Sequence, residues 1–455
     1  MSKTYAIDMC NGSIFPKLLR FAIPLMCSSI LQLFFNAVDV IVVGYFCGED
    51  SLAAVGSTSS LINLLTNLFM GLSIGANVLV ARYYGAKEDK HLHDVVHTAI
   101  ALSLISGVVL TVFGVIFVEQ ILVWMQTPDN VLGLATVYLR IYFMGMLATM
   151  VYNFCSAILR AVGDTKRPLY YLLIAGALNV VMNLFFVLVC DMNVAGVGVA
   201  TVISQCVSAI LVVRCLVKEC GAYRLVLKDI RLHGRYIGRI LRIGLPAGLQ
   251  GTVFSLSNVV IQSSVNSFGS IVMAGNAAAA SVEGFVYMAM NAFHQAAVSF
   301  VGQNVGAGKT ERIKKIVVRV LICVTVTGVV LGGLAVLFGE NLLGFYSGEV
   351  DVIAEGMVRL RMICSLYFLC GLMDVMVGVL RGLGHSIMPM IVSLLGACGL
   401  RLVWIFTIFQ MEPYHTTQVL YLSYPVTWII TFVCHVICYF VVSRKHFKRL
   451  AGEAS

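Results

Sequence analysis

Twelve long apolar runs leave little of this 455-residue chain for anything else; they lie at 21–46, 53–81, 95–118, 134–158, 168–190, 194–217, 240–267, 272–302, 316–338, 354–379, 388–411 and 418–442. A helix crosses the hydrocarbon of a bilayer with about 20 apolar residues. A soluble domain solvates its surface with about a quarter charged residues, whereas only 12% of this chain is charged. The runs therefore predict an all-α membrane protein of twelve transmembrane helices. The stretch before the first run has no short apolar core followed by a small-residue cleavage site, so the first helix is expected to be its own insertion signal. The 14 cysteines lie mostly inside apolar runs, at neither zinc nor disulfide spacings, and are expected to pack as small apolar groups.

Basic residues set the orientation of such a chain. With a cytoplasmic N-terminus, 27 of the 31 lysines and arginines fall in cytoplasmic segments or helix ends, among them Lys3, Arg82, Arg160, Arg381, Lys445, Lys448 and Arg449. The opposite loops at 47–52, 119–133 and 339–353 contain none. Both termini are expected in the cytoplasm of a multi-pass cell-membrane protein. The net charge of +9 is this topology signal and calls for no nucleic acid.

The chain also repeats itself. Arg20-Phe-Ala-Ile-Pro24 matches Arg242-Ile-Gly-Leu-Pro246, and Gly85-Ala-Lys87 matches Gly306-Ala-Gly-Lys309. Leu159-Arg-Ala-Val-Gly-Asp-Thr-Lys-Arg-Pro168 matches Leu380-Arg-Gly-Leu-Gly-His-Ser-Ile-Met-Pro389, and the offset stays at 221 or 222 throughout. Chance does not supply an ordered series at one offset. The repeat spans six helices, an even number, so both copies have the same orientation. Two homologous lobes are expected, related by a pseudo-two-fold axis along the membrane normal, with a cleft lined by helices 1, 2, 7 and 8. The division is 1–217 for the first lobe, 218–239 for a basic cytoplasmic linker and 240–455 for the second lobe with its basic tail. Gly85, Gly163, Gly306 and Gly384 are expected to allow tight turns at the cytoplasmic mouth.

These motifs resemble those of the multidrug and toxic compound extrusion (MATE) transporters. The likeness rests on Leu159-Arg-Ala-Val-Gly-Asp-Thr and its copy, Asn36-Ala-Val-Asp39, Gly244-Leu-Pro246, and Phe300-Val-Gly-Gln-Asn304 with Gly306-Ala-Gly-Lys309. It covers nearly the whole chain. The resemblance implies a two-lobed, twelve-helix antiporter that exports cationic, often aromatic, small molecules in exchange for protons or sodium. It implies no cofactor and no structural metal, and the protein is expected to act as a monomer surrounded by lipid. Two positions depart from the family pattern. Many members carry an aspartate four residues after an asparagine in helix 5, where this chain has Asn179 and Asn183. Some sodium-coupled members carry a glutamate where this chain has Phe254. A lipid-linked saccharide flippase of the same superfamily is the alternative, although a diphosphate calls for more deep basic residues than Arg401.

Charges at bilayer depth cost about 2.5–3.5 kcal/mol each on insertion scales, so each is a candidate site or a buried partner. Gln32, Asn36 and Asp39 form one polar stripe on the first helix. Asp39 is expected to carry ion coupling, oriented by Asn36, with Asn179 and Asn183 completing the site. Asp374 falls on Asn153 at the repeat offset, so its carboxylate exists in one half only. Glu283 and Arg401 lie deep in the eighth and eleventh helices and are expected to pair, or Arg401 to pair with Asp374. Arg140, Arg359 and Arg361 are expected to be snorkelling anchors at outer helix ends. Asn258, Gln262 and Asn266 repeat at four-residue steps, as do Asn291 and Gln295, and amides there suit either substrate contact or helix packing. His294 and His435 are expected to be hydrogen-bonded core residues. No phosphate loop, zinc-spaced histidine pair or serine–histidine–aspartate order argues for an enzyme.

Overall fold

A computed structural model describes residues 5–452, without the side chains of Glu49, Ser57, Ser60 and those from 445 onward. Lys3 and the side chains of Lys445, Lys448 and Arg449 lie outside that description. All the regular secondary structure among the described residues is helical. In order, the helices are α1 (Ile14–Phe46), α2 (Glu49–Ala86), α3 (Asp89–Trp124), α4 (Asp129–Met144), α5 (Met146–Ala161), α6 (Lys166–Leu184), α7 (Asn193–Val217) and α8 (Gly234–Asn266). There follow α9 (Ser270–Gly306), α10 (Thr310–Leu337), α11 (Gly339–Gly344), α12 (Val350–Cys364), α13 (Tyr367–Gly382), α14 (Ile387–Ser393), α15 (Leu400–Phe406) and α16 (Thr417–Gly452).

Among the described residues, nine helical segments are long and apolar enough to cross a bilayer alone. The pairs α4–α5 and α12–α13 each make one further span, bent by 45° and 47°. Helix α8 is the twelfth. Its 33 residues reach roughly 50 Å at 1.5 Å per residue, but its amides and basic first turns keep its hydropathy low.

The repeat is visible in the backbone. Left-handed residues recur at one spacing: Gly48 with Gly269, Lys87 with Gly308, and Gly163 with Gly384. The expectation of tight turns at four glycines is thus half corrected. Gly163 and Gly384 adopt φ of 97° and 90°, but at the other pair the left-handed residues are Lys87 and Gly308, not Gly85 and Gly306. The helix simply runs on through Gly85 and Gly306 before it is capped.

Packing groups the chain into two compact units whose limits differ from the repeat boundary. One holds Met1–Asp8 and Cys27–Gly248, the other Met9–Met26 and Leu249–Ser455. Both α1 and α8 are therefore shared between units. In the first unit, α2 meets the start of α8 through glycines: a Cβ on Gly71 would collide with the Gly248 backbone, and one on Gly75 with the Ile240 carbonyl. Such small-residue contacts let membrane helices approach closely where hydrophobicity does not drive association.

In the second unit the segment ahead of α1 is gripped by the α9–α10 turn. Asn304 Nδ2 donates to the Met9 carbonyl at 3.1 Å, Lys309 Nζ to the Cys10 carbonyl at 2.9 Å, and Arg312 Nε to the Met9 carbonyl at 3.0 Å. In the first unit the segment ahead of α8 is held on α3, where the Val226 N–H donates to His97 Nε2 at 3.0 Å. The Leu159–Thr165 motif has a similar local logic. Gly163 makes the turn against the Ile7 backbone, and the Asp164 carboxylate accepts the Lys166 and Arg167 N–H groups at 3.1 Å, capping α6. Arg167 bridges Asp164 and Glu219.

Candidate functional site: buried polar clusters in each lobe

In the first lobe, α1 presents Asp39 to α6. Asn179 and Asn183, four residues apart, share one face of α6 and are buried. Asn183 Nδ2 donates to Asp39 Oδ1 at 2.5 Å and to Asn179 Oδ1 at 3.3 Å. Asn179 Nδ2 in turn donates to Thr201 Oγ1 of α7 at 3.4 Å. Tyr138 and Tyr142 of α4 lie within electrostatic reach of Asp39, and Tyr142 hydrogen-bonds Gln205. Both N–H groups of the Asn183 amide are used, but Asn183 Oδ1 is buried with no donor. The cluster therefore offers oxygen to a ligand. Asn36 and Gln32, on the same helix as Asp39, are exposed and make no hydrogen bond to it among the described residues.

The second lobe holds two clusters. Arg359 of α12 clasps Glu283 of α9, Nε to Oε1 and Nη2 to Oε2, both at 2.7 Å. Arg359 Nη1 also donates to Asn276 Oδ1 at 2.5 Å, and Asn276 Nδ2 passes the chain to Gln262 Oε1 at 3.0 Å. The Tyr421 and Tyr424 rings lie 5.5 and 5.7 Å from the guanidinium. This corrects two expectations. Glu283 pairs with Arg359 rather than Arg401, and Arg359 is 7% exposed rather than a snorkelling anchor. Arg401 pairs with neither Glu283 nor Asp374 among the described residues. Arg140 keeps to the surface in an ion pair with Glu119, and Arg361 is exposed.

In the other cluster, His294 Nδ1 lies 3.2 Å from Asp374 Oδ1 and 2.7 Å from the Asp374 carbonyl. Its Nε2 is 3.4 Å from Arg381 Nη1, so the imidazole bridges the acid and the guanidinium. Asn291 Nδ2 donates to Asp374 Oδ2 at 3.3 Å, and Arg381 Nη2 donates to Gln250 Oε1 at 2.9 Å. Arg381, expected among the cytoplasmic segments and helix ends, is buried. His435 meets Ser393 at 3.0 Å inside the lobe. Asn153 bonds back to its own helix at the Thr149 carbonyl, Asn258 is exposed and Gln295 is half-buried.

Sequence reasoning missed Arg359 and Asn276, and both carried a signal. Asn276 is seven residues before Glu283, on the same helical face. Arg359 is seven residues after Val352 and three after Gly356, all on the buried face of α12. The pairing of Asp374 with His294, 80 residues away, has no local signature.

Two copies of a six-helix unit, with ionisable groups held among membrane helices, make the architecture of a membrane transporter. The family model MatE matches residues 24–185 and 246–407, and the chain belongs to that family. Among its relatives is the probable multidrug resistance protein YoeA of Bacillus subtilis (strain 168), 28% identical over 449 residues, 96% of each chain. YpnP of the same organism, also described as a probable multidrug resistance protein, is 28% identical over 87% of this chain and 88% of its own. The fold is shared with the outward-facing conformation of a multidrug resistance MATE family transporter of the MOP superfamily, at a TM-score of 0.88 and 21% identity over 99% of this chain and 100% of that one. It is also shared with a MOP superfamily transporter from Pyrococcus furiosus Vc1 (DSM3638), at 0.86 and 22% over the full length of both.

Proposed function

We propose that this protein is a secondary active antiporter that exports organic cations in exchange for protons or sodium, with coupling at Asp39 and both termini in the cytoplasm. The reading rests on one observation above all: Asp39 is held by Asn183 inside the first lobe while Asn183 Oδ1 stays without a donor. A carboxylate oxygen and a neighbouring amide oxygen are hard ligands, suited to a proton on the acid or a sodium ion between the two. A charged carboxylate among membrane helices is costly, so an ion or an organic cation that neutralises it is favoured there. Two ligands that neutralise the same group compete, and competition is what exchange requires. The ion, arriving from outside, displaces the substrate; inside, the substrate displaces the ion. Asn179 and Thr201 hold Asn183 in place, and the two tyrosines of α4 offer aromatic faces nearby for a cation. The chain itself does no bond-making chemistry in this reading.

The test is export of a fluorescent organic cation from energised cells, with proton and sodium gradients imposed separately. Asp39→Asn removes the charge with little change of shape. It should reach the membrane in wild-type amounts and lose gradient-driven export. Full export by Asp39→Asn would move coupling elsewhere, with Asp374 and Glu283 next.

A further inference from the structure

Arg401 is the second residue of α15, which follows directly on a π-helical turn at Leu394–Gly399. Such turns inside α-helices frequently sit at functional sites. The residue is 3% exposed. Its guanidinium lies over the Tyr424 ring, 3.9 Å from the centroid, and Nη2 donates to Thr427 Oγ1 at 3.1 Å. Thr427 spends its own hydroxyl proton on the Ser423 carbonyl at 2.8 Å, so its oxygen is left to accept. The Nε–H of Arg401 is buried with no acceptor.

The other buried guanidiniums of this lobe are answered by acids: Arg359 by Glu283, and Arg381 by Asp374 through His294. Arg401 has no carboxylate within ion-pair distance among the described residues. Glu355, a further acid of the lobe with a buried carboxylate oxygen, lies within electrostatic reach of Tyr421 and forms no ion pair with Arg401 among the described residues. A ring face and one hydroxyl do not offset a buried positive charge. Arg381 also has a buried Nε–H with no acceptor, but it is linked to an acid through His294; Arg401 combines an open donor with no acid, direct or bridged, among the described residues. We infer that Arg401, backed by Tyr424 and Thr427, binds the carboxylate of an organic monoanion inside the second lobe. The planar fork of a guanidinium matches a carboxylate. One uncompensated positive charge suits a monoanion better than a dianionic phosphate. The site is separate from Asp39 and does not depend on the export reading.

Two of the three tryptophans, Trp404 and Trp428, lie three residues from Arg401 and one from Thr427, so intrinsic fluorescence reports on the site. Benzoate is titrated into the full-length protein in lipid nanodiscs with no ion gradient. Failure here is thus separable from failure of coupled export. Benzoate should give a saturable change, and benzamide, its neutral analogue, none. Arg401→Gln should weaken benzoate by about 30-fold or more, the scale of losing one partner of a buried charge pair. Arg401→Lys, which keeps charge without the fork, should fall between. Without ligand, Arg401→Gln should melt at or above the wild-type temperature, because it removes an unanswered charge. No saturable change with benzoate, equal benzoate affinity in Arg401→Gln, or a clear drop in its melting temperature would overturn the inference. Competition by chloride as strong as by benzoate would overturn the assignment to a carboxylate.

Discussion

Glu283 and Arg359 face each other side by side, with two parallel hydrogen bonds of 2.7 Å between the carboxylate and the guanidinium. Taking both charges out of water costs several kcal/mol per ion, and the two-bond geometry with Asn276 is what offsets it.

The pair should behave asymmetrically under mutation. Glu283→Gln leaves Arg359 buried without a counter-charge and should destabilise the protein by about 3–5 kcal/mol. The double change Glu283→Leu with Arg359→Met removes both charges and should melt close to wild type. Thermal unfolding in detergent reads both. An unshifted midpoint in Glu283→Gln would show that the pair contributes nothing to stability.

Asn183 should matter to ion release more than to folding. Its N–H favours the empty, charged Asp39, so with proton coupling Asn183→Ala removes that support and the carboxylate should hold its proton more tightly, whereas with sodium coupling the variant also loses the Oδ1 ligand and should hold its ion less tightly. Hydrogen bonds to charged groups contribute about 1.5–3 kcal/mol, so proton release and turnover should slow by about ten- to a hundredfold. The export assay with matched expression is the measurement. Wild-type turnover in Asn183→Ala would mean that the 2.5 Å contact does not act on the ion.

Close glycine contacts in the first lobe should divide into two kinds. The three atoms nearest a Cβ at Gly114 all belong to the Phe143 side chain, whereas those nearest one at Gly71 are backbone atoms of Gly244 and Gly248. Overpacking of this sort costs typically about 1–3 kcal/mol. Gly114→Ala should therefore cost less in a Phe143→Ala background, which removes Cγ and Cδ1, the two nearest atoms, while trimming neighbouring side chains should not rescue Gly71→Ala. Melting temperatures of the singles and the double decide it.

The fold was legible because lipid leaves few options: twelve apolar runs and one repeat offset already implied twelve helices in two copies. Boundaries were less so. Arg235 and Arg239 read as linker and put the start of the apolar run at 240, yet Arg239 Nη1 donates to Tyr83 Oη at 2.6 Å and the helix begins at Gly234. The Asp39–Asn183 contact joins two positions that the sequence had already marked. The partners of Glu283 and Asp374 were harder, because pairing between helices depends on rotation about each axis. Periodicity places Arg359 on the buried face of α12 but cannot say which acid it meets.

The hold of α3 on the linker should depend on pH. His97 Nδ1 is 2.7 Å from the His93 carbonyl, an acceptor only, so Nδ1 carries the proton and Nε2 keeps its lone pair for the Val226 N–H. A doubly protonated imidazole has no lone pair, so this hydrogen bond exists only while His97 is neutral. It is present at high pH and lost on acidification. His93 lies against the same ring, 4.0 Å between centroids, with its Nε2 3.5 Å from Asp229 Oδ2, and His233 Nε2 is 3.6 Å from Asp94 Oδ1. Those pairs strengthen when their histidines are protonated, so acid should free the Val226 amide without releasing the whole linker. Amide exchange at Val226, corrected for the intrinsic pH dependence of exchange, should lose about two- to tenfold protection as His97 protonates, the equivalent of one hydrogen bond. His97→Gln keeps an acceptor that does not titrate, and its protection should not change over the same range. Protection at Val226 that stays constant with pH in the wild type would show that His97 does not control this contact.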